Sequence, residues 1–458
     1  MVVQLKKIPR FYYPDVKLLV IDLFCGAGGT TIGFEKAFSH AKKLAKVIAC
    51  VNHDKNAIAS HKANHSRIKH FNEDIRTLEL TELLQLIKEW RLRCPNAKVV
   101  LWASLDCTQH SRAKGGLPKI ADSRTLAWEL YRYIESINPD YIQIENVVEF
   151  KIWGPLDDEM HPIKEEKGVF FEGWRHHIRE YGYRDEWAEL NAANYGGYTT
   201  RTRLFGCFAK EGLPIIFPAP THTKVVGTKL KMWKPVKDIL DFTDIGESIF
   251  STKYVQSRKI TTPRISSTDT FERIYAGLLK YTPKKATASI TPLFLASYYN
   301  GSKCVSPLIS PAPTLTTKDR LSMVTINKQS AEPFLMTAQY SITSGLSSVH
   351  RPSTTLIASM NKTETKLVSS IYGSSVVTWD KFDTPIRKKI KAFMIANDIQ
   401  DICMRGLRIP ELKSIQGFPV DYVLKGSQAE QKKYIGNSVH CSIVIAWVKE
   451  LVKVLHYE

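Results

Sequence analysis

From about Lys17 to Phe205, short β-branched apolar runs alternate with stretches whose apolar residues recur at helical spacing. Leu19-Val20-Ile21-Asp22-Leu23-Phe24 reads as a strand, Thr30 to Phe38 as a helix, Lys46 to Val51 as a strand and Lys55 to Ala63 as a helix. A helix is expected at Leu78 to Leu92, a strand at Lys98 to Ala103, a helix at Ser123 to Ile137 and a strand at Tyr141 to Glu145. Strands alternating with helical segments of this length indicate βαβ units, so this half is expected to be a doubly wound α/β domain with a mostly parallel sheet.

From about Leu213 to Asp401 the pattern changes. Pro, Ser and Thr are frequent, strand-like runs are short, and helical periodicity is weak except near Arg387 to Ala396. The stretch from Pro292 to Leu315 returns imperfectly 41 positions later as Pro333 to Leu356, with Tyr299 matched by Tyr340. Two copies are too few for a solenoid and suggest a duplicated small β unit. Ser442 to Leu455 is again apolar at helical spacing and is expected to pack back on the first half.

Charge sharpens this division. The formal net charge of +19 over 458 residues is distributed as +6 in residues 1–150, −1 in 151–210, +11 in 211–404 and +3 in 405–458. Basic balance fits polyphosphates, acidic proteins or membrane surfaces, but its concentration in one segment is the footprint of a nucleic-acid binder. The eight cysteines are scattered without a Cys-x-x-Cys pair, so neither a disulfide framework nor a metal is expected. No run approaches the roughly 18–20 apolar residues of a membrane span. A soluble, intracellular protein is expected.

Three segments carry candidate chemistry. Asp22-Leu23-Phe24-Cys25-Gly26-Ala27-Gly28-Gly29-Thr30 lies at a strand end and opens into a helix, where glycines let the backbone turn sharply and approach a nucleotide. It lacks the Gly-x-x-x-x-Gly-Lys core of a phosphate loop, which argues against ATP or GTP hydrolysis. Asn52 and His53 follow the next strand, where a ribose partner belongs, and Asp74-Ile75 suits an adenine amino group and face. Taken singly, each reads more readily as a helix cap or exposed loop group, and their order along the chain brings the cofactor reading level with that one. Cys107, in Ala103-Ser104-Leu105-Asp106-Cys107-Thr108, lies just beyond a parallel strand, where a nucleophilic thiolate is at home, although a lone cysteine is more often a small core residue. Glu145 ends another strand and by itself reads as a satisfied loop charge. Arg201 and Arg203, two apart on a strand, share one face and suit a phosphate and a base; a solvated edge strand is the alternative.

Together these motifs resemble the cytosine-C5 DNA methyltransferases. The resemblance rests on the turn at Phe24 to Gly29, the loop around Cys107, Glu145-Asn146-Val147, the pair Arg201 and Arg203, Arg405-Gly406-Leu407 through Gln416-Gly417-Phe418-Pro419, and Ile435-Gly436-Asn437-Ser438-Val439. It implies a Rossmann-like methyltransferase fold with a smaller β-rich target-recognition domain. Residues 1–210 are then the catalytic and cofactor-binding domain, 211–404 the DNA-binding domain, and 405–458 a segment returning to the first. It implies S-adenosylmethionine as methyl donor and S-adenosylhomocysteine as product, held by Asp22, Phe24, Cys25, Gly26, Gly28, Gly29, Asn52, His53, Asp74, Ile75, Asn437 and Ser438. Cys107 is implied as the nucleophile toward cytosine C6, Glu145 as proton donor to N3, and Arg203 with Arg201 as holders of the base. Double-stranded DNA is the implied partner of a monomer in a prokaryotic or phage-infected cytoplasm, at the nucleoid. The resemblance leaves room for a cognate restriction enzyme.

The match departs from the family at particular positions. Asp106-Cys107-Thr108 stands where Pro-Cys-Gln is usual, and is similar to the loop of phage-like members. Asn52 stands for the usual glutamate, His53 for an aromatic, Tyr198-Thr199 for Pro-Gln, and Arg408-Ile409-Pro410-Glu411 for Thr-Pro-Arg-Glu, which removes an arginine that braces the second domain. Two other readings are an RNA methyltransferase of the same chemistry and a catalytically silent DNA-binding protein. The long basic insert favours duplex DNA over RNA, and retention of Cys107, Glu145 and both arginines favours an enzyme.

Overall fold

The computed structural model describes residues 13, 15–39, 42–105, 126–157, 161–255, 260–282, 294–297, 305–307, 310, 321–326, 333–337, 366–372, 377–397 and 399–455. Its first half is organised by strand β1 (Leu18–Leu23), whose six residues are all buried. Their side chains alternate between two cores: Leu19, Ile21 and Leu23 face one, Leu18 and Val20 the other. A strand covered on both faces reads as a continuous apolar run, which is why the sequence marks it so clearly.

The elements that follow are α1 (Gly29–Glu35), β2 (Ala45–Val51), α2 (Lys55–Asn64), β3 (Lys69–Phe71), α3 (Thr81–Arg93), β4 (Lys98–Ser104), α4 (Leu130–Ile137), β5 (Tyr141–Asn146), α5 (Val169–Glu180), β6 (Tyr183–Asn191) and β7 (Thr202–Lys210). They form a seven-stranded sheet in the order β3-β2-β1-β4-β5-β7-β6. Strands β1 to β5 run parallel, while β7 pairs antiparallel with both β5 and β6. The fold is thus the doubly wound, mostly parallel α/β arrangement that the alternating pattern predicts. Three helix boundaries differ from it by three residues or more, and one of them is α3, which starts at Thr81 rather than Leu78. α1 stops at Glu35, and Phe38 instead pairs with Lys43 in a two-residue ribbon. Among the described residues the fourth helix starts at Leu130, after a turn.

A second sheet contains β8 (Glu247–Ser248), β9 (Phe294–Ser297), β10 (Val305–Pro307), β11 (Leu321–Ile326), β12 (Pro333–Thr337), β13 (Lys366–Tyr372) and β14 (Ile399–Gly406). Its order is β8-β14-β13-β12-β11-β9-β10, and β11 also pairs with β14, so the sheet curls back on itself. The opening strands of the two repeat copies, β9 and β12, lie antiparallel on either side of β11. Most of the remaining repeat lies outside the described residues. Helices α6 (Thr268–Tyr281) and α7 (Pro385–Ala396) pack on this sheet, with Phe271, Ile274, Ile390 and Met394 in a core shared with Met323, Ile402 and Met404. No helix among the described residues is long and apolar enough to cross a membrane.

The chain after Arg405 divides between the two cores. Leu412 and Ile415 of α8 (Ile409–Gln416) and Ile435 of α9 (Gln428–Asn437) belong to the core of the second sheet. Helix α10 (Cys441–Leu455) covers the first sheet, where Val444, Trp447 and Val448 meet Phe34, Trp102 and Phe205. Between them, Arg405 supplies a brace. Its Nη1 and Nη2 donate to the two oxygens of Glu411 at 2.9 and 2.8 Å, while Nε and Nη2 reach the carbonyls of Asp244 and Asp241. Glu411 in turn accepts from the backbone amides of Asp241 and Arg408. Breaking a buried pair leaves one charge uncompensated. Glu411→Ala is therefore expected to destabilise the protein by roughly 3–5 kcal/mol in urea unfolding, and an unchanged midpoint would rule the brace out.

Candidate active site

The first site element is the turn after β1. Phe24 has φ 56°, Gly26 φ 51° and Gly28 φ 106°, so three left-handed residues reverse the chain within five positions. The Cys25 amide donates to Val51 O at 3.2 Å, and the Tyr422 hydroxyl donates to Ala27 O at 2.5 Å. Gly28 and Gly29 leave room for protein rather than for ligand: a Cβ would stand 2.3 Å from the Tyr422 hydroxyl in one case and 1.7 Å from Ser438 Oγ in the other. A Cβ on Gly26 would meet nothing within 4 Å. The turn is therefore clamped by the C-terminal segment on one side and open at Gly26.

Beneath it, Asp22 is fully buried. Thr31 Oγ1 donates to its Oδ2 at 2.8 Å, Oδ1 has no hydrogen-bond partner among the described residues, and burial pushes the carboxyl up to about 7. Asn52 and His53 follow β2. Asn52 Oδ1 accepts from the Asp54 amide at 2.9 Å, starting the turn that Asp54 completes as the N-cap of α2, and His53 is exposed. Asp74 pairs with Arg76, whose hydrogen bonds hold its carboxyl down at about 2. Ile75 is buried in the core, and its carbonyl accepts from both Arg132 and Tyr133 at 2.8 Å.

The second element lies where β4 and β5 end beside the start of the antiparallel β7. Ser104 pairs in register with Glu145, and Glu145 with Phe205. Trp102 Nε1 donates to Ser104 Oγ at 2.8 Å and fixes the end of β4, from which the chain continues toward Cys107. Cys107 itself lies outside the described residues. Glu145 is buried with its Oε1 3.6 Å from Arg203 Nε. Burial raises its carboxyl above the usual range, against the opposing pull of Arg201 and Arg203. Arg201 Nη1 donates to Gly436 O at 3.0 Å, which brings Gly436-Asn437-Ser438 beside the arginines. Asn437 is exposed, and Ser438 O accepts from Gln416 Nε2 at 2.6 Å.

The structure thus unites Glu145, Arg201, Arg203 and the Asn437 segment, and separately the β1 turn with Ser438. Sequence reasoning missed the residues that hold these pieces: Thr31 under Asp22, Tyr422 on the turn, Arg132 behind Ile75, and Tyr434, whose hydroxyl donates to Asp54 at 2.9 Å. Their partners are up to 395 positions away, so no local pattern marks them.

A mostly parallel sheet with a glycine turn after its first strand and polar groups at its carboxyl edge defines a Rossmann-like methyltransferase fold. The family model for C-5 cytosine-specific DNA methylases matches residues 18–453, and the chain belongs to that family. Among curated relatives, the type II methyltransferase M.Sau3AI of Staphylococcus aureus is 24% identical over 205 residues, covering 41% of this chain and 42% of its own. M1.HphI of Haemophilus parahaemolyticus is 27% identical over 211 residues, with 46% and 50% covered. The chain spans about half the length of the curated relatives it matches. Among solved structures, the Entamoeba histolytica methyltransferase EhMeth aligns over 96% of this chain and 99% of its own, at 12% identity and a TM-score of 0.47. For the S. pombe Dnmt2 methyltransferase the shares are the same, at 14% identity and a TM-score of 0.47.

Proposed function

We propose that the protein transfers a methyl group from S-adenosylmethionine to C5 of a cytosine flipped out of duplex DNA, through a covalent bond between Cys107 and cytosine C6. The observation that carries this reading is the buried Glu145 carboxyl, held beside Arg203 and level with the end of the strand that leads to Cys107. In this reading residues 1–210 hold cofactor and chemistry, residues 211–404 read the DNA, and residues 405–458 tie the two together.

The residues at the β1 turn fit S-adenosylmethionine. The open side at Gly26 admits a ligand against bare backbone, the orphan Oδ1 of Asp22 lies buried beneath, and Asn52 stands at the next strand end. When bound there, the cofactor supplies an electrophilic methyl group. Cytosine C5 is too weak a nucleophile to take it unaided. Cys107 adds as thiolate to C6, and Glu145 gives its proton to N3 as charge develops there. Electron density at C5 then takes the methyl group as its bond to sulfur breaks and S-adenosylhomocysteine leaves; transfer of the C5 proton to a solvent base, expulsion of the Cys107 sulfur by β-elimination and return of the N3 proton to the Glu145 carboxylate restore the ring, the thiolate and the acid. Arg203 and Arg201 hold the base through O2, and their fixed charge favours the ionised thiol. Base extrusion costs a few kcal/mol, which phosphate contacts from the basic segment offset in a salt-dependent way.

The test offers the protein and S-adenosylmethionine to duplex DNA carrying 5-fluorocytosine, where fluorine blocks the elimination. A denaturation-resistant protein–DNA adduct is expected. An adduct only with single-stranded RNA would move the substrate to RNA, and duplex binding with neither adduct nor methyl transfer would mean a silent DNA-binding protein.

A further inference from the structure

Beneath the β1 turn the fold collects donor atoms that the chain keeps far apart. Cys25 follows β1, Cys50 sits in β2 and His61 in α2; all three are buried, and their ligating atoms lie within 4.8 Å of one another. Cys50 Sγ is 3.8 Å from His61 Nδ1. With metal–sulfur bonds of about 2.3 Å and metal–nitrogen bonds of about 2.0 Å, tetrahedral donors stand roughly 3.4–3.8 Å apart. Small side-chain rotations therefore suffice to close the group around one ion.

The histidine is already oriented for this. Thr31 Oγ1 has one hydrogen and donates it to Asp22 Oδ2 at 2.8 Å, so at 3.0 Å from His61 Nε2 it accepts, and Nε2 carries the ring hydrogen. The His61 lone pair is then on Nδ1, the nitrogen facing Cys50. A carboxylate acting through a hydroxyl on the far ring nitrogen is the outer support that metal-bound histidines usually have. His70 Nε2 lies 2.9 Å from the same Nδ1. With the ring hydrogen of His61 on Nε2, the hydrogen of this contact belongs to His70 Nε2, and its shift to His70 Nδ1 would free Nε2 as a donor atom.

We propose that Cys25, Cys50 and His61, with His70 in reach as fourth donor, form a binding site for a thiophilic divalent cation, zinc by its ligand set. Both sulfurs bind as thiolates and their two protons leave to solvent, so the site as a whole stays near neutral. The ion ties the β1 turn to β2 and α2, with Cys25 Sγ also 3.6 Å from Gly26 O. This inference is independent of the methyl-transfer reading. It departs from the sequence expectation of no metal, because ligands at positions 25, 50, 61 and 70 show none of the short spacings by which such sites are recognised.

The test strips the tag-free full chain with a chelator and titrates it with Co2+, followed by visible absorption. Expected are one equivalent bound, tetrahedral ligand-field bands with thiolate charge transfer, and displacement by Zn2+. Cys50→Ser is expected to weaken binding at least ~10-fold and to diminish the charge-transfer band, while Cys94→Ser, a buried cysteine outside the cluster, leaves both unchanged. X-ray absorption of the zinc-loaded wild type gives a readout that does not depend on the variant folding, with two sulfur and two nitrogen neighbours expected. A wild type that binds no Co2+, a bound ion without sulfur neighbours, or a folded Cys50→Ser protein that binds as wild type would overturn the site. So would a Cys25–Cys50 disulfide in protein that takes up no metal.

Discussion

Serine in place of Cys107 is expected to lower methyl transfer at least ~10³-fold, the scale on which a lone nucleophile matters when the rest of its site is intact. A serine hydroxyl has no appreciable anionic fraction at neutral pH, whereas a thiol beside two guanidiniums, where the proposed reaction puts Cys107, does, and the proposed covalent step needs the anion. The location of the effect is set by the sheet. Ser104 is anchored by Trp102 and lies level with Glu145, so the segment beginning at Leu105 leaves the sheet where Glu145 and Arg203 converge. The measurement is single-turnover transfer of labelled methyl to duplex DNA, with DNA affinity measured in parallel. Loss of transfer with affinity retained supports the role. A serine variant that transfers at a tenth of the wild-type rate or better would move the nucleophile elsewhere. Asp106→Asn tests the charge of the neighbouring residue, since removing a carboxylate speeds the addition to C6 only if that carboxylate faces the sulfur.

The legible parts of this molecule are those where one physical constraint dominates a short stretch. Strands β1, β4 and β5 are buried on both faces and show as unbroken apolar runs, and the glycine turn after β1 follows from the left-handed backbone at Gly26 and Gly28. The apolar spacing carries α1 on to Phe38, yet the chain turns after Glu35, and Lys43 pairs with that carboxylate. The second sheet was legible only in character. Its strands pair across gaps of tens of residues, as β11 does with β14, and composition carries no register. The same holds for the site's supports. The apparent loss of a bracing arginine in Arg408-Ile409-Pro410-Glu411 is met by Arg405, three positions upstream of that motif and pointing back to the same Glu411. A motif records which residues are present, whereas the brace depends on which side of a strand end they leave from.

Glu145 is the residue whose chemistry depends most on its surroundings, and its replacement is expected to separate two functions. Burial favours the neutral carboxyl and the arginines favour the ion; burial prevails, so its folded pKa lies above the ordinary carboxylate value. In the proposed reaction the protonated form is the one that donates to N3. Methyl transfer is accordingly expected to fall as pH rises through that raised pKa, while ionisation of Cys107 raises the rate from the acid side, giving a bell-shaped profile. Glu145→Ala removes both the proton and the hydrogen bond and should cost on the order of 10²–10⁴-fold in the rate of methyl transfer. Glu145→Gln keeps an N–H donor at nearly the same place but has no proton to lose. It should retain more activity than alanine, and its profile should lack the falling limb on the alkaline side. In the alanine variant Arg203 keeps its charge without the neighbouring carboxyl, so weakened DNA binding would point to a structural role instead, and a glutamine variant with the alkaline limb intact would assign that limb to another group.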